Sequence, residues 1–105
     1  MVEIPDNVKI IIEKLISKLE MNQIRIDKAI LFGSYAEGKY DEWSDIDLAL
    51  VSKDFSGSRF YDNPKVLDAA LDIDSGISPM TYLPDDFTPD NLFVRDILRK
   101  GIQIR

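Results

Sequence analysis

Residues 31–52 read LFGSYAEGKYDEWSDIDLALVS: two apolar runs, with Gly33 and Ser34 closing the first and Asp45 and Asp47 opening the second. The first run, residues 28–32, has the length and composition of a short buried strand that stops at Gly33. The second, residues 46–51, is another strand with Ile46, Leu48 and Leu50 on one face. The polar segment between them carries Gly38 and suits a short turn or helix followed by a loop. This strand, turn and strand set the frame for the rest of the chain.

Before it, Val8, Ile11, Ile12, Leu15 and Leu19 recur at helical spacing, and Pro5, Asp6 and Asn7 are start signals, which predicts an amphipathic helix over 6–21. After it, Ser56, Gly57 and Ser58 mark a loop, and Val66, Leu67, Ala70 and Leu71 suggest a second helix. Residues 76–83 read as a strand whose Pro79 requires an edge or a bulge. Thr88 and Pro89 form a helix entry, Gly101 is the stop after Lys100, and residues 102–105 are a last short strand. Alternating helices and strands in 105 residues make one α+β (mixed α/β) domain over 1–105, a small sheet backed by helices.

Composition narrows the chemistry. The chain has neither cysteine nor histidine, which removes thiol nucleophiles, zinc knuckles and Ser/His pairs and leaves carboxylates, hydroxyls and Lys/Arg. A metal bound here would be held by oxygen, as Mg²⁺, Mn²⁺ or Ca²⁺ are. A net charge of −6 argues against stable binding to a nucleic-acid backbone. Lys9, Glu13 and Lys14 interrupt the N-terminal apolar positions, so a membrane span and a secretory leader are not expected and a cytoplasmic location is.

Neither half of the central stretch is informative alone. Fourteen aspartates in 105 residues produce about two Asp-x-Asp triplets by chance, and two occur, Asp45/Asp47 and Asp72/Asp74. Together the halves say more. Residues two apart in a strand share a face, so Asp45 and Asp47 project side by side, and a divalent cation relieves their repulsion. Gly33 permits close approach, and a helix opening at Ser34 offers free N–H groups and a hydroxyl to an anion. A phosphate cradle facing a metal-binding acid pair is equipment for phosphoryl or nucleotidyl transfer.

The pattern Gly33-Ser34, ten residues, Asp45-Ile46-Asp47 resembles the signature of the DNA polymerase β-like nucleotidyltransferase superfamily, and LFGSYAEGK and SDIDL are similar to its minimal nucleotidyltransferases. The resemblance is strong over 28–51 and continues through YLPDDF and RKGIQI. It implies a mixed sheet backed by helices and a single-domain enzyme that moves a nucleoside monophosphate, AMP from MgATP, onto a hydroxyl. Gly33 and Ser34 would bind the β- and γ-phosphates, and Asp45 and Asp47 would be the catalytic acids holding two Mg²⁺ ions. It also implies a helical HEPN-type protein as partner and acceptor, with this chain as antitoxin of a toxin-antitoxin pair. A homo-oligomer is left open.

Active members of the superfamily carry a third carboxylate on the next strand, and the matching position here is Ser78. A shifted register would offer Asp74 as the third metal ligand, against its reading as a charge at a helix end. The alternative function is therefore a catalytically impaired antitoxin or regulatory subunit that keeps the nucleotide fold. Lys39, Lys53, Arg59 and Trp43 are secondary candidates near the site, each also readable as an ordinary loop residue, and Phe60 and Tyr61 are expected to pack.

Overall fold

The computed structural model describes residues 3–105. Helix α1 spans Asp6–Met21 and buries Val8, Ile12, Leu15, Ile16 and Leu19, the apolar stripe expected of it. It ends in a Schellman arrangement: the Ile24 N–H donates to the Leu19 carbonyl and the Gln23 N–H to that of Glu20, with Gln23 at φ 70°. Strand β1 (Lys28–Phe32) follows, then a single helical turn α2 (Ser34–Glu37), strand β2 (Ile46–Val51) and helix α3 (Arg59–Leu71). Strand β3 (Ile77–Tyr82), a 3-10 turn (Pro84–Asp86), helix α4 (Leu92–Lys100) and strand β4 (Ile102–Gln103) complete the chain.

The four strands form one mixed sheet in the order β3-β2-β1-β4. β1 is antiparallel to both β2 and β4, while β2 and β3 are parallel. Pro79, which has no N–H to give a ladder, lies in β3 at the edge of the sheet, as its chemistry requires. One face carries Ala29, Leu31, Ile46, Leu48, Leu50 and Ile77 under α1 and α3. The other carries Ile30, Ala49, Val51 and Tyr82 under Val94 and Ile97 of α4 and under Phe87. β2 is thus buried on both faces beyond Asp47, where the alternation of Ile46, Leu48 and Leu50 had suggested a single core face.

Two helix starts differ from expectation. α3 begins at Arg59 and runs through Pro64, seven residues before Val66. Its first turn is anchored by Asp62, a buried carboxylate that accepts from the Ser56 N–H, the Ser56 hydroxyl and the Gly57 N–H. α4 starts at Leu92 rather than at Pro89, because the Asn91 side chain caps it by accepting from the Phe93 and Val94 N–H groups. Phe60 and Tyr61 are 84% and 65% exposed and do not pack as expected. They contact each other edge-on instead, with centroids 5.8 Å apart.

Candidate active site

The C-terminal end of β1 and the beginning of β2 lie side by side, because the antiparallel pairing sets Phe32 opposite Asp47. One residue further on, Gly33 turns the chain at φ 74°, ψ −150°, a region open essentially to glycine. That turn seats the Gly33 α-carbon against Asp47: a Cβ at position 33 would overlap Asp47 Oδ2 and lie 3.1 Å from its Cγ. The missing side chain thus lets the glycine-serine corner and the acid pair share one place, which ten intervening residues do not dictate.

α2 opens immediately after the corner. The Glu37 N–H donates to the Gly33 carbonyl, so the amides at the start of this single turn have no carbonyl of their own turn to bond. Gly38 ends the turn in the left-handed conformation. The returning loop is folded by Asp41, whose carboxylate accepts from the Trp43 N–H while its own N–H donates to the Ser44 hydroxyl. This local chemistry delivers Asp45 to the start of β2, where the Ile46 N–H donates to the Gly76 carbonyl and ties β2 to the start of β3.

Asp45 is exposed and Asp47 half-buried. Among the described residues neither carboxylate has a hydrogen-bond donor or an ion-pair partner. Burial, and secondarily the negative charge of Asp45, push the Asp47 carboxyl above its ordinary range. Adjacent, unneutralised, oxygen-only ligands beside free amides fit Mg²⁺, which commonly takes one or two carboxylates and completes its shell with phosphate oxygens and water. The donor set is incomplete without a phosphate ligand, since no group of three or more acidic side chains suited to a metal occurs among the described residues.

The parallel register sets Ser78 directly beside Asp47 on the neighbouring strand. An exposed hydroxyl therefore stands in the third position. Asp74 does not enter the site: it lies in the turn after α3, where its carboxylate accepts from the Gly76 N–H at 2.7 Å. Asp72 caps α3 and pairs with Lys18. Of the secondary candidates, Lys53 and Arg59 follow β2 and so sit toward the opposite end of the sheet, with the Arg59 guanidinium 4.8 Å from the Tyr82 ring centroid. Lys39 is exposed just beyond α2, and Trp43 is 83% exposed rather than packed. Tyr35 stacks on Tyr40 with centroids 4.6 Å apart. Phe93, passed over in the sequence reading, reaches the neighbourhood of the site through its edge-on contact with Phe32.

The nucleotidyltransferase domain profile matches residues 8–104, from α1 to the end of β4. The chain belongs to the nucleotidyltransferase domain family. A protein of Methanocaldococcus jannaschii, provisionally named a protein adenylyltransferase, is 32% identical over 84 residues, covering 76% of this chain and 80% of that protein. A crystal structure of a toxin-antitoxin with AMP-PNP superposes with a TM-score of 0.57 at 25% identity, over 89% of this chain and 71% of that one. The mixed sheet with its helices is the nucleotidyltransferase fold, and the family match together with these two relatives supports a minimal nucleotidyltransferase, an enzyme of nucleotidyl transfer. No helix among the described residues is long and apolar enough to cross a membrane.

Proposed function

We propose that this enzyme transfers AMP from MgATP to a hydroxyl on a partner protein, and that the partner is a HEPN-type toxin for which this chain is the antitoxin. The observation that carries the reading is the contact of Gly33 with Asp47, which supports a corner for phosphates lying against an acid pair for metal. The relative named for protein adenylylation and the structural neighbour in a toxin-antitoxin with AMP-PNP support the substrate and the pairing.

In this reading Ser34 and the amides after Gly33 hold the β- and γ-phosphates, and Asp45 and Asp47 hold two Mg²⁺ ions. The metal supplies charge neutralisation of the triphosphate and activation of the acceptor hydroxyl. The acceptor oxygen forms a bond to the α-phosphorus, the bond to the bridging oxygen of the β-phosphate breaks, pyrophosphate leaves, and the hydroxyl proton passes to solvent. The protein works where nucleotide pools are available, in the cytoplasm.

Incubation with Mg²⁺, the product of the neighbouring gene and ATP labelled at the α-phosphate tests this. Label appears on the partner and is lost with Asp45→Asn or Asp47→Asn. Transfer of γ-label instead, or no transfer to any protein, sinks the proposal. Ser78 favours a second reading, an antitoxin that binds nucleotide and partner without turnover. It predicts that both Asn variants still neutralise the toxin.

A further inference from the structure

Between α2 and α4 runs a groove of about 100 Å³ lined by Phe32, Gly33, Glu37, Phe93, Asp96 and Lys100. Its floor is aromatic. Phe32 and Phe93 meet edge to face with centroids 5.9 Å apart, and Phe93 remains 49% exposed although it lies on the helix that covers this side of the sheet. The groove adjoins the acid pair, since Phe32 is the cross-strand partner of Asp47 and shares its face.

The groove's charges show which part of a nucleotide suits it. Glu37 and Asp96 outnumber Lys100, and Lys100 is paired with Asp96 at 3.5 Å. The carboxylates of Glu37 and Asp96 disfavour further negative charge beside Phe93, whereas an uncharged flat ring meets an exposed aromatic side chain and polar groups at its edge. The volume is too small for a whole nucleotide and suits one ring system. Directly opposed strand residues have Cβ atoms about 5 Å apart, so the Phe93 ring sits on the order of 10 Å from the Asp47 carboxylate. That separation leaves room for a ribose and a metal-bound α-phosphate between a base stacked on Phe93 and the acid pair.

We infer that Phe93 is the stacking platform for the nucleobase, with Phe32 behind it, so that the base lies on the α4 side of the groove and the phosphates at its Gly33 corner. The inference rests on the nucleotide reading of the site. It makes Phe93 a binding residue for the substrate that acts apart from the metal.

Calorimetric titration with Mg²⁺-AMP-PNP and with Mg²⁺-tripolyphosphate, which has no base, tests it on wild type and on Phe93→Ala, Phe93→Leu and Phe93→Tyr. Wild type binds AMP-PNP more tightly than tripolyphosphate. Phe93→Ala and Phe93→Leu lose between about fivefold and a hundredfold in AMP-PNP affinity, keep tripolyphosphate affinity, and Phe93→Tyr restores the loss. Unchanged AMP-PNP binding in Phe93→Ala overturns the inference, as does an equal loss for both ligands, which assigns Phe93 to supporting the Gly33 corner. Wild type that binds both ligands equally refutes the base platform and leaves the phosphate corner standing. Wild type that binds neither ligand overturns the nucleotide reading, and the platform falls with it.

Discussion

Replacing Gly33 with alanine attacks the contact on which the site depends. Two costs arise. The backbone at φ 74°, ψ −150° is strained for any residue with a Cβ, by about 1–3 kcal/mol. The new methyl also overlaps Asp47 Oδ2 and crowds Cγ at 3.1 Å, which turns the carboxylate out of the corner. Because that carboxylate is the end of a movable side chain, the steric cost sits at the low end of overpacking, about 1 kcal/mol. The sum, about 3 kcal/mol, lowers Tm by roughly 12–24 °C in a domain of this size and leaves it folded at room temperature. Function suffers more: the displaced Asp47 abolishes Mg²⁺-dependent nucleotide binding in the folded variant. Thermal melts and calorimetry on wild type, Gly33→Ala, Asp47→Ala and the double variant separate the terms, since removing the Asp47 carboxylate relieves the clash and leaves the backbone strain. Gly33→Ala with wild-type Tm and wild-type Mg²⁺-nucleotide affinity would refute the geometry.

Asp47→Asn stabilises the metal-free protein at neutral pH. A carboxyl with a raised folded-state pKa stabilises the fold below its ordinary value of 3.8, and that contribution is lost as pH rises through the folded pKa, so the wild-type Tm falls relative to the variant over that window. Saturating Mg²⁺-nucleotide reverses the order at neutral pH; metal-free pH melts of the two proteins that stay parallel, without converging at low pH, count against a carboxyl raised by burial and by Asp45. Ser78→Asp places a third acid beside Asp47 and raises turnover at least severalfold in a labelling assay, whereas an unchanged or lower rate shows that position 78 is not what limits the enzyme. Asp62→Ala strands three donors around Ser56 and Gly57 and costs about 2–4 kcal/mol with no direct effect on nucleotide affinity, measured by denaturant melts and titration.

What was legible in the sequence was governed by local patterns. The apolar stripe of α1 and the apolar runs of β1 and β2 delimited those elements at Asp6–Met21, Lys28–Phe32 and Ile46–Val51, because each pattern carries its own period and its own stop. Competition between equally good signals hid the start of α4. Thr88-Pro89 and Asn91 are both helix entries, and the cap with a side-chain oxygen facing two free amides prevailed. The start of α3 was hidden because its first turn has no apolar stripe and is held by Asp62, whose three bonds to the preceding loop depend on how that loop folds back.

The site divides along the same line. Gly33, Ser34, Asp45 and Asp47 were singled out because two short motifs each have a local chemical reason to exist, yet only strand pairing brings them together: a one-residue slip of β2 against β1 would turn Asp47 toward α1 and α3 and leave Gly33 facing an aliphatic side chain. The register therefore carries the geometry of the candidate site, and the register is held by burial on both faces of β2, with Leu48 and Leu50 under α1 and α3 and Ala49 and Val51 under α4. The same pairing fixes Ser78 beside Asp47 and, through Phe32, brings Phe93 toward it. Neither placement has a local signature, since both arise from which strand lies next to which. In a sheet this small the hydrophobic core sets the spacing between the Gly33 corner, the acids and the aromatic floor, so a larger side chain at the buried Ala49 shifts the proposed nucleotide affinity as well as the stability.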